Sequence, residues 1–302
     1  MHSKTSMLFS VLIVLIFSSC SKDQTTTDKS SDNPDDKVNN SQVSDEISNS
    51  ELSKYDIASK TPLIITLPNE LKEISGITMT PDGRMFCQQD ETGIVYQLDY
   101  QSGKVIKRFY LGDPPIRKDF EDIAYANNKF YMLHSNGEIY EFSEGEDNES
   151  VKYNLYKTDL DKKNDVEGLC FDPKTNTLLM VTKAKSGTDD RDDKAVYSFS
   201  LSDMKFNPEP RFILKRSEIK SYFNPSGIAF DPLTETFFII AANGNEIVEI
   251  SNEGKLLGKE KLHGRIHAQP EGITFSSDGT LYISNEGKDD HANIVVYPML
   301  KK

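Results

Sequence analysis

The chain has 302 residues, with 48 acidic against 35 basic side chains and a formal net charge of -13. That length accommodates one large domain or two small ones. A surface this acidic repels phosphate backbones, which excludes nucleic acid as a partner and suits the binding of cations. Hydrophobic residues make up only 36%, so part of the length is expected to stay unfolded.

Residues 1–20 open with Lys4, continue with an apolar run from Met7 to Phe17, and end in Ser18, Ser19 and Cys20. The run is too short to span a bilayer and has the layout of a secretory signal. Small residues directly before a cysteine resemble the lipobox of bacterial lipoproteins, with Phe17 where Leu is usual. The resemblance implies cleavage before Cys20, acylation of that residue, and a firm membrane anchor. Ser21 directly after Cys20 points to the outer membrane of the bacterial cell envelope. Residues 21–60, rich in Ser, Asp, Asn, Thr and Lys, are expected to form a disordered polar tether. Cys87 and Cys170 remain, with no CxxC pair, and are expected to be buried free thiols.

Residues 61–302 carry an internal repeat. "ISGITMTP" at 74–81 is followed by "FEDIAYAN" at 120–127, "VEGLCFDP" at 166–173, "PSGIAFDP" at 225–232 and "PEGITFSS" at 270–277. The residues at the repeat position are Ser75, Glu121, Glu167, Ser226 and Glu271, spaced 46, 46, 59 and 45 apart. Each copy continues with a turn, a second apolar run, a loop, a third run and a more variable fourth. Alternating apolar and polar residues with many β-branched and aromatic side chains predict strands, and no segment shows a helical period. Four short antiparallel strands per unit define an all-β, five-bladed β-propeller. The fifth copy has only three strands, and "TPLIITLP" at 61–68 supplies the missing one, closing the ring.

The first strand of each blade lines the central channel, so the five repeat positions are expected to ring one mouth. Glu121, Glu167 and Glu271 are the candidate metal ligands. Three carboxylates crowded together must hold protons, hydrate or share a cation. An oxygen-only ligand set in a roomy ring suits Ca2+. Ser75 and Ser226 complete the ring, and loops on the same face are expected to bring Asp90, Glu91, His134, Asn243, Asn285 and Glu286 to the mouth.

Several motifs are missing. There is no GxSxG, no GxxxxGK[ST] and no strand-led GxGxxG. His263 and His267 in "HGRIH" lack the HExxH context of a zinc site. "DDRDD" at 189–193 lacks the glycine of an EF-hand loop.

The motifs "EISGITMTPDGRMF", "FEDIAYANNKFYML", "VEGLCFDPKTNTLLMV" and "QPEGITFSSDGTLYISNEG" resemble the SdiA-regulated domain family across about residues 60–300. The resemblance implies a five-bladed propeller, distantly related to NHL-repeat propellers, with a calcium site and no established enzymatic activity. The repeat position is also similar to that of the calcium ligands in paraoxonase-like six-bladed lactonases. Carried over, it falls on Glu121, Glu167 and Glu271, while Ser75 and Ser226 stand where those enzymes often have Asn. Two functions follow as expectations. One is a membrane-anchored, calcium-binding module for a small-molecule or protein ligand. The other is a calcium-dependent hydrolase of lactones, esters or phosphate esters, with His134 or Glu286 as base.

Overall fold

The computed structural model describes residues 50–300 except 189, 191, 220, 221 and 289. The signal segment, Cys20 and most of the expected tether lie outside the described residues.

Five antiparallel sheets follow one another along the chain. Their inner strands are Ile74–Met79, Phe120–Ala126, Val166–Asp172, Asn224–Phe230 and Pro270–Phe275. Each inner strand packs beside the next, and the fifth returns to the first, so the strands close a ring. The molecule is a five-bladed β-propeller, as the repeat count predicts. The closing strand is where the sequence places it. Leu63–Thr66 pairs antiparallel with Asn293–Tyr297 and completes blade 5, with Ile64 opposite Val295. The 59-residue spacing reflects no hidden blade. It is taken up by the eleven residues that separate the strands Thr177–Thr182 and Lys194–Ser200 and by the ten-residue outer strand Lys205–Leu214 of blade 3.

The inner hairpins turn on residues with positive φ. Asn176 in "DPKTN" has φ 54°, and Glu235, at the matching place in "DPLTE", has φ 58°. Asparagine tolerates this left-handed conformation far better than glutamate does.

The core is divided among the five seams between blades. Phe86 and Phe109 of blade 1 meet Phe130 and Phe142 of blade 2, with the Phe86 and Phe130 ring centroids 4.7 Å apart. Cys87 lies in the seam between blades 5 and 1, and Cys170 in the seam between blades 3 and 4. Both are buried and free, as expected, because two separate seams keep them apart.

Two features depart from the sequence reading. Blade 1 gains a fifth strand, Ser150–Val151, which pairs parallel with Lys104–Leu111 and comes from a loop of blade 2. The expected tether also ends too late. Residues Glu51–Lys54 form a 3-10 turn capped by Ser50, and Leu52, Tyr55 and Ile57 are buried in the seam between blades 4 and 5. The Tyr55 hydroxyl donates to the Gly279 carbonyl at 2.9 Å, and Glu249 accepts from Ser50 Oγ at 2.9 Å and from the Glu51 amide at 2.7 Å. Three apolar side chains among polar neighbours are enough to bind this segment to an open seam.

Candidate functional site: an acidic channel mouth

The repeat motif marks a β-bulge. In every blade the pairing of inner strand with second strand shifts at the repeat position: at Ser75, Glu121, Glu167, Ser226 and Glu271. A bulged residue has no partner across the ladder, which turns its side chain out of the sheet. The following glycine is required by the neighbouring blade. A Cβ on Gly272 would stand 2.5 Å from the Ser75 carbonyl oxygen, and one on Gly227 would stand 2.5 Å from that of Glu271. Blade 2 has Asp122 at this place. Its carboxylate accepts from the Leu169 amide at 2.7 Å and the Ile123 amide at 2.8 Å, so it ties blade 2 to blade 3.

Glu121, Glu167 and Glu271 converge on a cavity of about 280 Å³ at one end of the channel. Ser75, Asp90 and Glu286 line the same cavity, as expected. The other expected contacts do not line it. Glu91 and Asn243 are exposed. Ser226 is buried and donates to the Pro270 carbonyl at 2.6 Å, which binds blade to blade. Asn285 is buried with His267: Asn285 Oδ1 lies 3.1 Å from His267 Nδ1, and Tyr297 OH lies 2.8 Å from His267 Nε2. His267 is therefore a core histidine, held below its ordinary range, to about 4, chiefly by burial. His134 is one residue out of place. It is Ser135 whose hydroxyl reaches the mouth residue Asp119, at 2.7 Å.

Five polar residues of the mouth are absent from the sequence reading: Glu73, Asp119, Asp165, Gln269 and Lys183. The first four stand two residues before Ser75, Glu121, Glu167 and Glu271. Each directly precedes its inner strand, so the strand's period of two, continued one residue upstream, was the available signal. Lys183 occupies the place, just past the second strand, held by Asp90 in blade 1 and Glu286 in blade 5. The amides of Asp90, Ser135, Lys183 and Glu286 donate to Glu73, Asp119, Asp165 and Gln269 respectively, which fixes this equivalence.

The cavity is thus lined by eight carboxylates and one ammonium. Lys183 Nζ lies 2.6 Å from Glu167 Oε1. Burial pulls the Lys183 ammonium down, yet the surrounding carboxylates, Glu167 foremost, raise it above its ordinary value. The carboxyl groups themselves are pushed up. Burial raises Glu271 to about 8, with Glu167 adding to it. Burial raises Asp90 to about 6, helped by Glu73 and Glu286. Burial raises both Glu121 and Glu167; the charge of Glu167 then pushes Glu121 further up, while Lys183 draws Glu167 back down.

The donor chemistry fits a hard cation. It is all oxygen but for Lys183, and Asp90 Oδ1 is buried without a hydrogen-bond partner. The arrangement is not a closed coordination shell. Among the described residues no group of three or more His, Cys, Asp or Glu side chains is placed to enclose a metal.

Fold and site together define a five-bladed β-propeller with an acidic, single-lysine channel mouth. The SdiA-regulated family model matches residues 202–299, and the resemblance carried by the repeat motifs is borne out there. The fold is similar to that of glutaminyl cyclase from Myxococcus xanthus, at 11% identity and a TM-score of 0.53, over 78% of this chain and 94% of that one. It is also similar to virginiamycin B lyase from Staphylococcus aureus, at 15% identity and a TM-score of 0.43, over 74% of this chain and 67% of the other. The PQQ-bound aldose sugar dehydrogenase from Streptomyces coelicolor matches at 10% identity and a TM-score of 0.48, over 80% and 99%. At these identities the likeness concerns fold alone. No curated protein matches the sequence.

Proposed function

We propose that the protein is a lipid-anchored binding module of the bacterial cell envelope whose channel mouth takes Ca2+ through Glu121, Glu167 and Glu271. The observation that carries this reading is the uncompensated charge of the mouth. Three bulged glutamates from three blades meet in one cavity, and their carboxyl groups retain protons well above the usual range. A divalent ion would supply the positive charge that a single ammonium does not. Ser75, Asp90 and Glu286 would then contact the ion or whatever rests above it. The anchor rests on Cys20 and the apolar run before it.

The test is thermal unfolding against calcium concentration. A ligand that binds only the folded state raises the melting temperature by mass action. Calcium is expected to raise it for the wild type and to have no effect on the Glu167→Gln, Glu271→Gln double variant. A wild-type transition that calcium leaves unmoved overturns the reading. Labelled acyl precursor should enter the wild-type chain and not Cys20→Ser.

The hydrolase reading has one supporting feature. Glu286 lines the cavity with its carboxyl raised, chiefly by burial and then by Glu73, as a general base requires. Hydrolysis of lactones, esters or phosphate esters at saturating calcium, lost in Glu286→Gln, would establish it. Background rates would leave the binding module.

A further inference from the structure

The opposite end of the channel holds a second cavity of different chemistry. It has a volume of about 360 Å³ and is lined by the far halves of all five inner strands. In a chain of 48 acids and 35 bases, no carboxylate, ammonium, guanidinium or imidazole lines it.

Its shape follows from the repeat. Three residues after each bulge stand Thr78, Ala124, Cys170, Ala229 and Thr274, and all five line the cavity. Small side chains at this position in every blade leave the axis open. One residue further on, Met79, Tyr125, Phe171 and Phe230 are half-buried around the rim. The rim is held in place by aromatic contacts: Tyr125 packs on Phe130 at 4.9 Å and Phe230 on Phe237 at 5.4 Å between centroids.

A second observation points to a ligand. Thr78 and Thr274 are both 8% exposed, and among the described residues neither hydroxyl has a side-chain or backbone partner. Blades 1 and 5 are neighbours in the ring, so the two hydroxyls lie on adjacent strands at the same level. Neither hydroxyl oxygen is fully buried, so both open onto the cavity and are free to bond what enters it. The other three residues of that level, Ala124, Cys170 and Ala229, offer no strong hydrogen-bonding group; of the further hydroxyls lining the cavity, Thr80 is bonded to Asp82 and Arg84, Tyr125 to Asn128, and Ser277 is exposed.

We infer that this cavity is a binding site for a small uncharged molecule with an apolar body and one carbonyl or hydroxyl group directed at Thr78 and Thr274. The volume lies at the low end of small-molecule pockets, roughly 300–1,000 Å³. A charged ligand is excluded because its charge would be buried with no partner. The apolar body would rest on the isoleucine and leucine side chains of the inner strands and against the aromatic rim. The site lies at the other end of the channel from the acidic mouth and needs no metal, so the two stand or fall separately.

The experiment uses acetophenone as probe, with cumene as its apolar isostere and benzoate as its charged one, in titration calorimetry on the full chain. Acetophenone is expected to bind and benzoate to fail. In the Thr78→Val, Thr274→Val double variant, acetophenone should bind roughly tenfold more weakly, as loss of one hydrogen bond implies, while cumene is undiminished. Ala124→Leu and Ala229→Leu, each checked to melt like the wild type, should fill the cavity and abolish binding of both. The inference is overturned if neither uncharged probe binds the wild type, if benzoate binds as well as acetophenone, or if folded leucine variants bind undiminished. Equal losses for acetophenone and cumene in the valine variant would remove the assigned role of the threonines.

Discussion

Lys183 Nζ lies 2.6 Å from Glu167 Oε1, at the edge of a cavity that otherwise presents only carboxylates, a serine, a glutamine and an isoleucine. The pair couples a residue of the repeat motif to one outside it. It also makes Lys183 a tethered cation that competes for the charge of the mouth.

Replacing Lys183 by Met removes that competitor. Calcium affinity is expected to rise by roughly tenfold at low salt, since a unit charge a few ångströms away changes binding by at least that factor. Without calcium the same variant should melt below the wild type at pH 8, because Glu121, Glu167 and Glu271 lose the ammonium that neutralises them. Calorimetric titration and melting curves check both halves. An affinity that falls would mean the ammonium helps to hold the ligand.

Glu271 gives the mouth a pH signature. Its carboxyl is raised to about 8, against an ordinary value of 4.5. The folded state therefore binds more protons than the unfolded state in between, and stability falls as pH rises through that window. The wild type without calcium should lose stability from pH 5 to pH 8.5 more steeply than Glu271→Gln does. Calcium should flatten the wild-type curve. Parallel curves for the two proteins would contradict the assignment.

Glu235 stands at φ 58° in the inner hairpin of blade 4, where blade 3 has Asn176 at φ 54°. Glu235→Asn should stabilise the protein by about 0.5–1 kcal/mol, since asparagine enters the left-handed region at less cost. The exposed Lys174–Glu235 ion pair lost in the exchange contributes little. Denaturant unfolding measures the gain.

Tyr55 lies in the seam between blades 4 and 5, 3% exposed and bonded to Gly279. Tyr55→Ala should cost about 3 kcal/mol or more, the usual cost of emptying an aromatic site in a core. The same substitution in a disordered tether would cost nothing. A midpoint of unfolding unchanged from the wild type would return residues 50–60 to the tether.

Much of the fold was legible because it repeats. Five copies of one motif made the blades countable, and the three-stranded last copy pointed to Leu63–Thr66 as its missing partner. The segment around Leu52, Tyr55 and Ile57 was not legible. Its composition is polar, and only the open seam beside blade 5 reveals where three apolar side chains go. Within the mouth, Glu121, Glu167 and Glu271 were marked by the motif itself. Glu73, Asp119, Asp165 and Gln269 were marked only by strand periodicity, two residues upstream. His134 was one position wrong, because a loop's register against the inner strand depends on backbone hydrogen bonds that the sequence does not display. Asn243 pairs with Asn224 at the matching place in blade 4 yet is exposed.

By itself the sequence determined the architecture and the three glutamates, since a four-strand period and a bulge motif are local properties of the chain. The tertiary structure alone decided that Lys183 enters the acidic mouth, that Asn285 and His267 turn into the core, and that two unpartnered threonine hydroxyls face an uncharged cavity at the other end. Those outcomes depend on which blades become neighbours when the ring closes. Ring closure brings together residues about two hundred positions apart, such as Thr78 and Thr274, and no local pattern records that.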